Sequence, residues 1–368
     1  MYELSTRWKE AQSGTLASEG FVEISCYIPE LQTSLVYTKN DLLSFTHHQT
    51  GSIISAELPK NHIEFTLDNS DGKWDPSNPS GMERYLSERL KITLRYGVDV
   101  LGTTEWIPGG VFYLSEWGTS PNGIEASFVA RDILEYMLDQ PYTGDLSGTL
   151  YDIATRAIAE ANIPEDAVIS LCNELKNYSV GAIEYKGDES VAEILQKCAN
   201  AACCVMYQKR NGVFAIERMN TEESGYTIPL NLSYSYPEME LLRPLKAVAT
   251  TYGNNQTETY FFYTSGETQT LTNEFISTSP QAREVSKWVC DSLRARQKIS
   301  GEFRSDLRLD LYDVVSVKNK YGDVRGAILT DIKIAFSGAF RMTYTAYIGV
   351  GGVISNIYCG ETYMGEVI

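Results

Sequence analysis

Residues able to do chemistry are few and scattered along this 368-residue chain. Three histidines occur, His47, His48 and His62. His47 and His48 follow the apolar run Leu42, Leu43 and Phe45 and precede Gln49-Thr50-Gly51, which predicts a loop. Adjacent side chains point apart and chelate a metal poorly without further ligands. As a general base, either would need a nucleophile or substrate within reach. Asp306, Asp310 and Asp313 form a carboxylate cluster, and the alternation Leu307, Leu309, Leu311 assigns it to the wet face of a strand. Arg283, Arg294 and Arg296 read as the solvated face of a helix rather than an anion site. Residues 68–81, dense in Asp, Asn, Ser, Gly and Pro, invite comparison with a calcium loop. Aligning Gly72 with the loop glycine leaves Leu67 at the first ligand position and Asn78 where a bidentate Glu belongs, so both anchors fail. No GxSxG, HExxH or glycine-rich phosphate loop occurs. The expectation is a protein with no catalytic residues, no metal, no cofactor and no enzymatic activity.

Composition narrows the class. Hydrophobic residues make up 43% and charged residues 21%, as in ordinary globular proteins, and the length suits two or three domains. Net charge is −17, from 31 Lys and Arg against 48 Asp and Glu. That argues against wrapping nucleic acid, which needs clustered cations to neutralise phosphates; it leaves open a pore through which DNA slides as passing cargo, and its first reading is that acidity keeps the chain soluble. Seven cysteines form no CxxC pair, and the neighbours Cys203 and Cys204 are badly placed for a relaxed disulfide; reduced, mostly buried thiols are expected. The start of the chain lacks an apolar signal region, and the longest apolar runs fall short of the ~20 residues that span a bilayer. A chain made in a bacterial cytoplasm, without membrane insertion, is expected. The 24 tyrosines and 5 tryptophans sit largely in alternating segments, as on half-buried strands and large interfaces.

The elements that would position these residues change character along the chain. Residues 21–27, 53–58, 62–67, 90–96, 111–117 and 124–130 alternate as strands, with a turn at Ser120-Pro121-Asn122-Gly123. From Leu150 the period becomes helical: Ile153, Ala154, Ala157, Ile158 and Ala161 share a face and stop before Pro164. A second helix starts at Ser190, with Glu193 completing a capping box, and a hairpin turns at Lys209-Arg210-Asn211-Gly212. Beyond Pro229 come a strand at 245–252, a polar hairpin at 256–273, a helix at 280–296 and strands at 313–317, 327–335 and 339–347.

Two segments are similar to each other. Tyr96-Gly97, Gly110 to Leu114, Gly123 and Phe128 correspond in order to Tyr321-Gly322, Gly326 to Leu329, Gly338 and Phe340. A duplicated β domain split by an insert follows.

The run Ile63-Glu64-Phe65-Thr66-Leu67-Asp68-Asn69, then Asp71-Gly72-Lys73-Trp74, Tyr96-Gly97, Gly110-Val111-Phe112-Tyr113-Leu114 and Ala130-Arg131-Asp132, resembles phage and prophage tail proteins of the baseplate-hub family. So does the later run Leu311-Tyr312-Asp313-Val314-Val315-Ser316-Val317, Tyr321-Gly322, Thr330-Asp331-Ile332 and Phe336-Ser337-Gly338-Ala339-Phe340. The resemblance covers roughly residues 50–350, and it is the joint order of these patterns that carries it.

The resemblance implies an α+β, mainly β fold: two similar tube-type antiparallel β-barrel domains with an inserted small α+β domain. The expected organisation is an arm at 1–20, a first β-barrel domain at 21–144, and the α+β domain at 145–228. A second β-barrel domain with the 280–296 helix follows at 229–348, then a docking segment at 349–368. It further implies a homotrimeric ring at the tip of a virion tail, joining a six-fold tail tube or distal tail protein to a three-fold spike or fibre protein. Three chains with two equivalent domains each offer six similar units to a hexamer. Tyr252, Tyr260, Phe261, Phe262, Tyr263, Tyr344, Tyr347, Tyr358 and Tyr363 are the expected assembly-interface residues. Two other readings remain open at this point. One is a β-rich carbohydrate- or receptor-binding module in which Trp74, Trp106 and Trp117 stack on sugars; the other is a tail-associated peptidoglycan hydrolase.

Overall fold

The computed structural model describes residues 2–12, 18–100, 102–181, 187–222, 225–253, 255–293, 296–322 and 324–348. A short helix α1 (Thr6–Gln12) precedes seven strands: β1 (Ser18–Ile28), β2 (Thr33–Tyr37), β3 (Leu42–Thr50), β4 (Lys60–Asp68), β5 (Lys91–Val100), β6 (Thr103–Thr119) and β7 (Glu125–Arg131). Their alternating apolar residues, such as Ile63, Phe65 and Leu67 on β4, face one core. Residues 53–58, expected as a strand, form turns instead. Ile53 and Ile54 are buried there against the insert, held by Asn200 Nδ2 donating to the Ile54 carbonyl at 2.8 Å. The residues expected as an N-terminal arm are also packed: Trp8 of α1 is 1% exposed.

The insert comprises β8 (Gly148–Thr149), α2 (Leu150–Glu160), β9 (Ile169–Leu171), β10 (Ser179–Val180), α3 (Val191–Ala201), β11 (Val205–Gln208) and β12 (Phe214–Glu217). Ser190 caps α3 as expected. Its Oγ accepts from the Glu193 N–H at 3.3 Å, and the Glu193 carboxylate takes the Ser190 N–H at 2.7 Å. The β11–β12 hairpin turns at Gly212, whose φ of +86° suits a residue without a Cβ.

The remaining strands are β13 (Thr227–Ile228), β14 (Glu238–Leu241), β15 (Leu245–Tyr252), β16 (Gln256–Phe261), β17 (Glu267–Thr272), β18 (Gln297–Arg304), β19 (Val314–Lys318), β20 (Val324–Phe336) and β21 (Phe340–Ile348). Helix α4 (Ser279–Leu293) lies between β17 and β18. Residues 256–273 are not a hairpin: β16 and β17 flank β15 on opposite sides, the latter in parallel. Residues 245–293 also leave the barrel expected at 229–348. They form their own three-stranded sheet with α4, and Val248, Tyr252, Val285 and Val289 join the insert's core rather than the core of the large sheet.

The large sheet shows a duplication in its strand order. The first repeat runs β3-β4-β7-β6-β5 and the second β14-β18-β21-β20-β19. Both long strands, β6 and β20, carry a bulge at the same place, after Leu114 opposite Ala130 and after Leu329 opposite Ala346. Arg89 and Tyr312, both at a φ of +65°, donate their backbone N–H to the Leu114 and Leu329 carbonyls at 2.7 and 2.9 Å. This register replaces part of the sequence correspondence. Phe128 matches Tyr344 rather than Phe340, and Tyr321 lies in a turn rather than at the place of Tyr96. The repeats are joined within the chain by β20 pairing with β3, from Asp331 opposite Thr50 to Phe336 opposite Phe45. The fold is α+β and mainly β.

Candidate assembly interface

The internal joint shows how this molecule connects two repeats. β3 extends through Thr50, so His47 and His48 lie on a strand rather than in a loop, and their side chains go to opposite faces. His47 is 1% exposed, and burial lowers its pKa to about 3, so the ring is neutral. A neutral ring has one donor. Nε2 donates to Asn61 Oδ1 at 2.9 Å, and Nδ1 accepts from the Tyr96 hydroxyl at 2.7 Å. On the other face, His48 Nε2 lies 3.0 Å from Asp331 Oδ1 across the joint, and its ring centroid lies 5.5 Å from that of His62. Burial, then the neighbouring His48, lowers the His62 pKa. Of the three rings, His48 bonds across the joint, while His47 bonds within the first repeat and His62 packs edge-on against His48.

The aspartates expected on a wet strand face are inside. Residues 305–313 form turns; Leu307, Leu309 and Leu311 are buried, as are Asp306 at 1% and Asp310 at 8% exposure. Asp306 pairs with Arg308, Nε to Oδ1 at 2.9 Å. Asp310 accepts from Gln49 Nε2 at 3.2 Å and from the Leu311 N–H at 2.9 Å, while Asp313 accepts the Asp310 N–H at 2.8 Å. Burial raises the Asp313 pKa.

Arg210, from the turn of the insert hairpin, was not singled out by sequence. It is fully buried and enters the junction between the repeats. Its guanidinium donates to the carbonyls of Leu309 at 2.8 Å, Leu307 at 2.6 Å and Pro108 at 3.3 Å, and lies over the Tyr96 ring. One side chain thus ties the insert to β6 and to the turns before β19. An arginine in an Asn-Gly turn gives no sequence cue, because such turns usually face water.

The acidic loop at 68–81 spends its side chains on itself. Asp68, Asp71, Asp75 and Asn78 accept from the N–H groups of Ser70, Lys73, Ser77 and Ser80, and Asn69 Oδ1 accepts the Trp74 N–H at 2.7 Å. Among the described residues, no group of three or more His, Cys, Asp or Glu side chains is placed to hold a metal, and no helix is long and apolar enough to cross a membrane. Five cysteines, Cys26, Cys198, Cys203, Cys204 and Cys290, are buried, and Cys172 lies with its sulfur 3.4 Å from that of Cys204. On the 279–293 helix Arg283 is exposed; Arg296 lies past its end, and Arg294 lies outside the described residues.

The aromatic residues expected at an interface divide. Tyr252 and Tyr344 are core residues of this chain, at 8% and 5% exposure, and present no surface to a partner. Tyr260, Phe262, Tyr263 and Tyr347 are half-buried, Phe261 is exposed, and Tyr358 and Tyr363 lie outside the described residues. Trp74 is buried, Trp117 is half-buried, and Trp106 stacks under Arg95. The largest run of exposed apolar residues missed by sequence is Tyr234, Tyr236, Met239 and Leu241, on and just before β14. Tyr234 and Tyr236, and again Met239 and Leu241, are two residues apart, but nothing in the sequence said that β14 ends the sheet.

The fold is thus two bulged β repeats joined edge to edge, with an α+β insert locked into their junction. Solved structures of phage and prophage tail proteins share this fold. A tail protein from Neisseria meningitidis MC58 is similar with a TM-score of 0.62 at 12% identity, over 92% of this chain and 98% of that one. The 43 kDa tail protein of prophage MuSo2 from Shewanella oneidensis is similar with a TM-score of 0.60 at 10% identity, over 89% and 98%. Prophage tail protein gp18 from Listeria monocytogenes EGD-e is similar with a TM-score of 0.55 at 11% identity, over 88% and 94%. At these identities the likeness is one of fold. No protein-family model and no curated protein matches the chain.

Proposed function

We propose that this protein is a structural component of a phage-type virion tail. It acts as a trimeric hub ring between a six-fold tube or distal tail protein and a three-fold spike or fibre, and has no enzymatic activity of its own. The observation that carries the reading is the duplicated strand order, β3-β4-β7-β6-β5 repeated as β14-β18-β21-β20-β19 in one chain. A three-fold ring of such chains presents six similar repeats, which is what a symmetry match to a hexamer requires. The acidic chain suits a lumen that DNA passes without sticking. The sugar-stacking reading loses one of its three rings, because Trp74 is enclosed in the core at 3% exposure. Light scattering over a concentration series tests the ring. A mass of three chains, with six-lobed rings in electron micrographs, is expected; a single-chain mass at all concentrations would sink the self-assembling ring and favour a binding module.

A further inference from the structure

We infer that strand β14 of one chain adds to the open end of β6 in the next copy, with Gly118 opposite Glu240 and Thr119 opposite Met239. The inference rests on the ring reading and specifies its contact.

The argument starts from the joint already present. β20 pairs with β21 along one side. On its other side it pairs with β19 up to Ile328, and after the bulge it pairs with β3. β6 is built the same way: β7 on one side, β5 up to Tyr113 on the other, and the same bulge. Past that bulge, however, residues 116–119 pair only with β7. Among the described residues, no strand takes on β6 the place that β3 fills on β20. Meanwhile β14, the second-repeat counterpart of β3, pairs among the described residues with β18 alone and ends the sheet. Among the described residues, the strand edge at β14 and the strand position beside the end of β6 are thus of matching kind.

Register follows from the ladders. His62 opposes Arg131 and Lys298 opposes Tyr347 at equivalent places, so His62 matches Lys298. His48 opposes His62 and Glu240 opposes Lys298, so His48 matches Glu240. By the shared bulge, Lys333 matches Gly118. Lys333 opposes His48 within the chain, so Gly118 opposes Glu240 between chains.

Side chains agree with this placement. His47 and Gln49, which β20 covers, are each 1% exposed; their counterparts Met239 and Leu241 are 42% and 65% exposed. Two apolar residues stand open at the positions that the internal joint encloses, on an edge strand, where exposed apolar surface invites pairing. They would meet Thr119 and Trp117, which point to the same face. At Gly118 an added Cβ would meet nothing within 4 Å, so the opposite face has room. The same step repeated three times closes the sheet, with eight strands from each chain on the path β14-β18-β21-β20-β3-β4-β7-β6.

The test mixes two single variants of the full chain, Gly118→Cys and Glu240→Cys, under mild oxidation, and reads cross-linked pairs on a non-reducing gel. A two-chain product is expected from the mixture and from neither variant alone. Gly118→Cys mixed with Glu238→Cys, slipped by two residues, should give none; equal linkage there would overturn the register. In parallel, Met239→Lys should keep the parent's circular dichroism spectrum, because Met239 is 42% exposed in the single chain, yet scatter as a single chain where the parent forms rings. A parent of three chains with no Gly118–Glu240 linkage, and with Met239→Lys still trimeric, would overturn the edge contact and leave the ring standing. A parent that stays a single chain at every concentration, with no linkage, would overturn both.

Discussion

A buried guanidinium surrounded by backbone carbonyls is a large commitment for one residue. Arg210 reaches three carbonyls from two different parts of the chain. Arg210→Met should therefore leave several acceptors unsatisfied and cost about 3–5 kcal/mol, read as a lower urea midpoint. A loss below about 1 kcal/mol would mean that water replaces the arginine. Asp132 offers a test by pH. It is 2% exposed, its Oδ1 accepts the Leu134 N–H at 3.0 Å, and burial pushes its pKa up to about 7. With the folded value above the unfolded one, the folded protein holds the proton more tightly. The contribution to stability is complete below about pH 4 and is lost as pH rises through 7. His47 works the other way: its pKa of about 3 lies below the ordinary 6.5, so stability falls as pH drops from 6.5 toward 3. Asp132→Asn should keep the cap to Leu134 and remove the loss at high pH. Its gain in melting temperature over the parent should be larger at pH 8 than at pH 5, with a ceiling of about 4 kcal/mol at roughly 1.4 kcal/mol per unit. A gain independent of pH would show that Asp132 does not titrate in this range.

At the scale of elements, helix α3 carries the insert's core. Val191, Ile194, Leu195 and Cys198 are all fully buried, and both halves of its capping box are formed. Ser190→Ala should cost about 1 kcal/mol in thermal or urea unfolding, because it strips the acceptor from the Glu193 N–H. An unchanged midpoint would mean that packing alone holds the first turn. Helix α1 is too short to be stable by itself and is kept by Trp8, which fills the end of the large core. Trp8→Ala should cost about 3–5 kcal/mol and release α1, detected as faster amide exchange over residues 6–11. Protection equal to the parent's would place the anchor elsewhere.

At the scale of the whole molecule, charge sets the conditions for assembly. Each copy carries −17, so bringing copies together concentrates negative charge. Raising salt screens that repulsion, so the ring should strengthen between 0.05 and 0.5 M salt, values at which the screening length falls from about 14 to about 4 Å. Sedimentation at fixed protein concentration would read this as a rising fraction of the larger species; dissociation by salt would instead mean that ion pairs dominate the contact.

Much of this protein was decided locally and was therefore legible. The α3 cap, the Asn-Gly hairpin, the helical face of α2 and strands β19 to β21 each depend on residues a few positions apart, and the residue pattern alone determined them. The duplication was visible too, but its register was not: Phe128 answers to Tyr344 because the bulges align the strands, and a bulge leaves no mark in a strand's alternation. Whether an alternating segment is interior, edge or excursion depends on what lies beside it in space. For this reason only the tertiary structure placed Asp306 and Asp310 inside, took residues 245–293 out of the second barrel, and drew Arg210 from a surface-type turn into the junction. It alone put Tyr344 in the core and left Met239 and Leu241 on an open edge, because burial depends on which strand is the neighbour, a distance in space that spacing along the chain does not encode.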